Sequence, residues 1–356
     1  MTANAAHDHS PLLRVSNLRT RFRTPHGVLR AVDGVSFDLE RGATIGIVGE
    51  SGSGKSVLAR TIMNLLPPTA EVPDDGTVLF DGRDVRHLDP VAAKHFWGTE
   101  MAIIFQDPMT SLNPVKKIGR QLTESIRYHL GHSRKAATAR AVDLLHQVGI
   151  PEPHRRLGQY PHELSGGMRQ RVTIAIALAC APRLLIADEP TTALDVTVQK
   201  QILDLLDRIQ AERSMAMILI THDLGVVAGH ADQVAVMYAG QIVEQASTDR
   251  LFRNVQHPYT EALLHSIPRV ELPSHSRFEA IGGRPPNMIM PPPGCRFAPR
   301  CKYAQKACVE SLPELEPADV TSHLFRCYFP AAGSGCCRGG AEIGNPKASR
   351  ATRQSD

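Results

Sequence analysis

The sequence predicts an α/β domain with buried parallel strands, and three observations carry that expectation. Short apolar runs bounded by turn residues recur: T-I-G-I-V-G (Thr44 to Gly49), L-L-I-A-D-E (Leu184 to Glu189) and M-A-M-I-L-I-T-H (Met215 to His222). After Asp195, residues Val198, Ile202, Leu205, Leu206 and Ile209 follow helical spacing and form a core-facing stripe. The first apolar run leads into a glycine-rich loop, G-E-S-G-S-G-K-S (Gly49 to Ser56), and then into the helical pattern S-V-L-A-R-T-I-M. Strands alternating with helices place the active loops at the C-terminal ends of the strands.

In chain order, L-L-R-V-S and V-S-F-D-L come first and read as further strands of the same kind. The stretch from about Ile118 to Ile150 is helical only, which reads as a helical insertion into the sheet; one long crossover is the alternative. The expected division is a nucleotide-binding domain over 12–250, with a helical subdomain at about 108–180. A C-terminal extension follows over 251–330, helical at first around H-P-Y-T-E-A-L-L-H and Pro/Cys-rich beyond Gly282. The Gly/Ser/Arg tail, 331–356, is expected to be disordered.

Composition sets limits. With 40 basic against 36 acidic residues, the net charge of +4 is too balanced to argue for nucleic acid. The opening M-T-A-N-A-A-H-D-H-S lacks the pattern of a secretory signal. The longest apolar run, Val172 to Ala181, is about half a membrane span, so no crossing is expected. The seven cysteines are then expected to be reduced, which favours metal ligation over disulfides.

The glycines of Gly49–Ser56 let backbone N–H groups wrap a phosphate chain, Lys55 sets a charge against the outer phosphates, and the Ser56 hydroxyl suits Mg²⁺. Asp188 and Glu189 end an apolar strand where burial offers no structural reason for two carboxylates. Beside a phosphate loop, Asp188 would hold the Mg²⁺ shell and Glu189 would polarise the attacking water. His222 closes another strand at γ-phosphate reach. In L-S-G-G-M (Leu164 to Met168), Ser165 reads as a helix N-cap, and Gly166 and Gly167 leave first-turn N–H groups open. One nucleotide does not need two anion-binding helix ends, so the pattern points to two chains closing around ATP.

These motifs together resemble the ATP-binding subunits of ABC transporters. Phosphate loop, Gln106, the Leu164–Met168 signature, Asp188-Glu189, the Ala193–Asp195 loop and His222 stand in the order usual for that family, over about residues 12–330. The resemblance implies an ABC-type P-loop fold, a mixed-sheet core with an inserted helical subdomain and a small Cys/Pro-rich C-terminal module. It implies ATP and Mg²⁺ as ligands, with Gly49, Glu50, Ser51, Gly52, Ser53, Gly54, Lys55, Ser56 and Gln106 at ATP. Phe22 takes the position of the aromatic ring against adenine. Ser56, Gln106 and Asp188 would hold Mg²⁺, and Glu189, His222 and Lys55 would be catalytic. Leu164, Ser165, Gly166, Gly167 and Met168 would act on the partner's ATP, and Asp195 would lie in the dimer interface. Met168 stands where the wider family prefers Gln, a departure usual in one branch.

F-Q-D-P-M-T-S-L-N-P (Phe105 to Pro114), V-M-Y-A-G-Q-I-V-E and H-P-Y-T resemble the oligopeptide/dipeptide/nickel importer branch. That resemblance implies a peripheral ATPase on the cytoplasmic face of the membrane. Its partners would be a second, different ATPase, two permease subunits and an extracytoplasmic solute-binding protein, with di- or oligopeptides or related small solutes as cargo. A nucleic-acid or ribosome-associated ABC ATPase is the competing reading. A single cassette and only 5% aromatic residues speak against it.

Four cysteines, Cys295, Cys301, Cys308 and Cys327, fall in the extension. Four thiolates suit tetrahedral Zn²⁺ or a [4Fe–4S] cluster, and buried free thiols are the plainer alternative. The importer resemblance favours the cluster. Cys180 reads as a core thiol, and Cys336 and Cys337 are left without a role.

Overall fold

The computed structural model describes residues 10–107, 111–192, 194–266, 281–318 and 322–331. Ala193, Pro108 to Thr110 and most of the tail expected to be disordered, with Cys336 and Cys337, lie outside the described residues. In chain order the strands are β1 (Leu13–Thr24), β2 (Gly27–Leu39), β3 (Thr44–Val48), β4 (Ala70–Glu71), β5 (Thr77–Phe80), β6 (Arg83–Asp84) and β7 (Met101–Ile104). Then come β8 (Leu184–Asp188), β9 (Ala216–Thr221), β10 (Gln233–Tyr238), β11 (Gln241–Ser247), β12 (Glu316–Pro317) and β13 (Leu324–Phe325).

The larger sheet runs β12-β13-β11-β10-β3-β9-β8-β7. Its centre, from β10 to β7, is parallel, as the apolar runs predict. Alternate residues of these strands serve opposite faces. Leu185, Ala187, Met217 and Leu219 join one core, while Leu184, Ile186, Ile218 and Ile220 join another with Ile45 and Ile47. Burial on both faces explains why β3, β8 and β9 read as continuous apolar runs.

The first two β-rich runs correct the expectation of parallel pairing. They belong to β1 and β2, which pair antiparallel, Leu13 opposite Leu39 and Thr24 opposite Gly27, in a separate sheet with β5 and β6. Only Pro25 and His26 separate Thr24 from Gly27, and a connection that short joins antiparallel strands only.

Between β7 and its parallel neighbour β8 the chain makes helices Ile118–Leu130, Arg134–Gln147 and Gly166–Ala177. Ile118, Leu122 and Ile126 of the first and Ala137, Ala141, Leu144 and Leu145 of the second bury into the Leu185 face of the sheet. Helix Val196–Arg213 buries Ile202, Leu205, Leu206 and Ile209 there too, and Val198 packs against that core half-buried. A third core lies behind β10 and β11, where helix Pro258–His265 and Phe297 of the extension meet Tyr238 and Val243. Cys180 is a buried member of the first core, and burial pushes its thiol pKa up. Among the described residues no helix is long and apolar enough to cross a membrane.

Candidate nucleotide site

Every residue of β3 is buried, and the chain leaves it at Gly49 to wrap a loop that ends in helix Lys55–Ile62. Gly54 caps that helix at φ +104°, and a β-carbon there would stand 2.3 Å from the carbonyl oxygen of Ala31, so only glycine fits. The loop closes on Lys55. Its Nζ donates to the carbonyl oxygens of Gly49 at 2.7 Å and Glu50 at 3.0 Å, and its side chain is buried. Burial pulls the Lys55 pKa down, while the charges of Glu189, Asp188 and Glu50 oppose that shift. The Ser53 hydroxyl is also buried and has no partner among the described residues. A buried cation and an orphaned hydroxyl in one glycine-rich loop fit the oxygens of a phosphate chain.

Ser56 is the second residue of that helix, and Asp188 is the last of β8. The sheet brings them together: Ser56 Oγ donates to Asp188 Oδ1 at 2.9 Å. Asp188 is 1% exposed, and burial, then the neighbouring Glu189 charge, push its pKa up. A hydroxyl beside a buried carboxylate suits Mg²⁺, which completes its shell with phosphate oxygens and water. Among the described residues, the four extension cysteines included, no group of three or more His, Cys, Asp or Glu is arranged as in a metal-binding site.

Glu189 follows with φ +46°, a left-handed conformation that turns its side chain off the strand axis, and its N–H donates to the Ile220 carbonyl at 2.9 Å. Three side chains gather on its Oε2. Gln106 Nε2 donates at 2.9 Å, Thr192 Oγ1 donates at 2.8 Å, and His222 Nδ1 stands at 3.6 Å. Gln106 thus turns to Glu189 rather than to the Ser56–Asp188 pair expected of a Mg²⁺ ligand. Thr192 escaped the sequence reading, although its place three residues after Glu189 was the available signal. Phe22 sits half-buried on β1 opposite Leu29 and Ala70.

The signature forms a separate feature. Ser165 caps helix Gly166–Ala177 and accepts from the Met168 N–H at 3.4 Å; Leu164 is buried, while Ser165 and Gly166 are exposed. A β-carbon on Gly167 would come 2.9 Å from Val198 Cγ1, so this helix end lies against helix Val196–Arg213, which Asp195 caps through the Val198 N–H at 2.9 Å. Signature and Asp195 loop therefore form one surface.

The four extension cysteines line one small apolar cavity with His257 and Phe297, and the Cys295 N–H donates to the Cys308 carbonyl at 2.7 Å. Burial pushes the Cys295 and Cys301 thiols up, and burial with the charges of the other three cysteines takes Cys327 to about 12. His323, four residues before Cys327, meets Glu244 at 2.8 Å, both side chains fully buried.

Comparison with known proteins agrees with this geometry. Residues 32–192 match the family model described as ABC transporter, and residues 243–308 match that of the oligopeptide/dipeptide transporter C-terminal region. The chain is 50% identical over 299 residues to the oligopeptide transport ATP-binding protein OppD of Haemophilus influenzae, covering 84% of this chain and 92% of that protein. It belongs to the ABC transporter family. The dipeptide transport ATP-binding protein DppD of Bacillus subtilis is 49% identical over 318 residues, 89% of this chain and 94% of that one. Among solved structures, the ATP-binding cassette MJ0796, a dimer in a post-hydrolysis state bound to ADP and Pi, superposes with a TM-score of 0.60 at 25% identity. That match covers 66% of this chain and 98% of the cassette. The ABC protein described here is thus a transport ATPase, and the mixed α/β fold expected for it is the one observed.

Proposed function

We propose that this ABC ATPase powers the import of di- or oligopeptides. The observation that carries ATP hydrolysis is the gathering of Gln106, Thr192 and His222 on Glu189 beside the Ser56–Asp188 pair. The match of the extension to the oligopeptide/dipeptide C-terminal region and the names of the relatives support peptides as cargo. The working unit is a dimer with a second, homologous ATPase, a heterodimer, under two permease subunits served by an extracytoplasmic solute-binding protein. It sits peripherally on the cytoplasmic face of the membrane. The divisions 12–250, with the subdomain at about 108–180, and 251–330 are its functional parts.

In this mechanism the backbone N–H groups of Gly49–Gly54 and the Lys55 ammonium hold the phosphates, and Phe22 stacks on adenine. Ser56 and Asp188 would hold Mg²⁺, which would supply positive charge at the outer phosphates. Glu189 orients and polarises the attacking water. His222 contacts the γ-phosphate, and Gln106 links the state of Glu189 to the permease side. Leu164 to Met168 close over the partner's ATP, with Asp195 at the same interface.

Full-length protein purified from its native membrane is expected to bring down two permease subunits and a second ATPase, and peptide is expected to raise the ATP turnover of that assembly. Recovery with ribosomes or nucleic acid and no membrane subunit would overturn the reading.

For Cys295, Cys301, Cys308 and Cys327 we propose a shared metal group, a [4Fe–4S] cluster, supported by four thiols around one cavity, Cys308 buried and the other three half-buried. A small Pro-rich segment has little core of its own, which gives a metal staple its rationale. The cavity itself, about 10 Å³, favours a second candidate, a single Zn²⁺, since a cluster requires the four segments to part. Anaerobically purified protein is expected to carry about four irons and four sulfides per chain, lost in Cys301→Ser. One zinc without sulfide would select the second candidate, and no metal in a folded, ATP-hydrolysing protein would reject both.

A further inference from the structure

The extension meets the phosphate loop at Arg300, which belongs to none of the motifs above. It ends the single turn Ala298–Arg300, just before Cys301, and its side chain is 3% exposed. Nη1 and Nη2 grip the Glu50 carboxylate in a fork, at 2.6 Å to Oε2 and 2.9 Å to Oε1. The remaining donors go to Tyr238 Oη at 3.2 Å, the Ile281 carbonyl at 3.1 Å and, from Nε, the Gly282 carbonyl at 2.8 Å. All five guanidinium N–H groups therefore have partners, and the fork on Glu50 has one orientation. The guanidinium also lies over the rings of Tyr238 and Phe297.

Glu50 is an awkward residue for its place. It is the second position of a loop that holds a polyanion, and its carbonyl already accepts from the Lys55 ammonium. An unpaired carboxylate there repels the phosphates that the loop must hold. The same residue is held a second time, because its N–H donates to Tyr259 Oη at 2.8 Å. Tyr259 is fully buried in helix Pro258–His265. Pro285, Pro286 and Met288 complete the contact by lining a small cavity with Glu50 to Ser53.

We propose that Arg300 is a positioning residue for ATP binding, acting through Glu50, whose carboxylate it neutralises so that the loop does not repel the phosphates. This rests on reading Gly49–Ser56 as the ATP site. The extension thereby sets the affinity of the nucleotide site, and ATP binding depends on a segment about 250 residues away in sequence.

The test is fluorescent (mant) ATP binding with Mg²⁺ and steady-state hydrolysis, on the full-length chain and four variants. Arg300→Gln is expected to weaken ATP binding about tenfold and to raise KM to match, with kcat at saturating ATP within about twofold of wild type. Arg300→Lys, which keeps the charge but loses the fork, should fall between the two. Glu50→Gln alone removes the repulsion and should bind ATP at least as tightly as wild type. The double variant Glu50→Gln/Arg300→Gln should return to within about threefold of wild type, because no carboxylate remains to be neutralised.

A double variant as weak as Arg300→Gln would reduce Arg300 to a structural prop and overturn the proposal. So would wild-type affinity in Arg300→Gln, or a tenfold loss in Glu50→Gln. Should Arg300→Gln fail to fold, the sign of the Glu50→Gln effect still decides. A wild-type chain that bound no ATP would sink instead the ATP-site reading on which this stands.

Discussion

The Glu189→Gln variant is expected to bind ATP as well as wild type and to hydrolyse it at least about 100-fold more slowly. The substituted side chain has the same shape, and its oxygen still accepts from Gln106 and Thr192, both of which donate to Glu189 Oε2. What disappears is the negative charge that polarises a water for attack. The same charge is among the causes that push Asp188 up, so its removal eases ionisation of the Mg²⁺-side carboxylate and leaves binding intact or tighter. Single-turnover hydrolysis read beside ATP affinity separates the two effects. Turnover within about threefold of wild type would take the role away from Glu189 and leave His222, 3.6 Å from it, as the remaining candidate.

Lys55→Met should show the opposite dissociation of properties, with ATP binding lost and the nucleotide-free fold kept. At ATP about 100 times its Kd, the wild-type chain gains about 2.7 kcal/mol, a rise in Tm of about 5 °C. The variant should show no ATP-dependent rise. Its nucleotide-free Tm should stay within a few degrees of wild type. Two bonds to carbonyl oxygens are lost, but a cation held 4% exposed is removed as well. The pH dependence carries the same signature. Because folding lowers the Lys55 pKa, the unfolded chain binds its proton more readily, and stability from this group rises with pH between the lowered folded value and the ordinary one of 10.5. Lys55→Met should lose that rise, as measured by denaturant unfolding across the alkaline range; an unchanged ATP-induced Tm shift would refute the assignment.

The parts of the site that read correctly are local in the chain. A buried strand, a glycine turn and a helix occupy consecutive residues, so Gly49 to Ser56 carries its own context, and Asp188-Glu189 stands out at the end of an apolar run. Parallel pairing of β3, β8 and β9 was legible because burial on both faces erases polar alternation. Strand direction in β1 and β2 was not, since a half-buried strand looks alike in either pairing and only the two-residue turn decides. Arg300 was illegible for a different reason. Its partner Glu50 is remote in the chain, and an arginine beside a cysteine carries no pattern that tells a fork from a solvated charge. The cysteines showed their number but not their spacing, because the loops that bring Cys327 to Cys295 have no periodicity.

The position of β3 in the sheet also has a consequence for synthesis. It is the third strand made, yet its neighbours on either side, β9 and β10, are encoded about 170 to 190 residues later. At a ribosomal rate of about 5–20 residues per second, the strand that feeds the phosphate loop waits roughly 10–40 seconds with both edges unpaired. During that interval its five residues, all buried in the folded chain, have no neighbouring strand, and the loop behind them has no floor. A nascent chain halted before Gln233 therefore still lacks one of the two strands that hold β3, and the nucleotide site is completed only after β10 has been made.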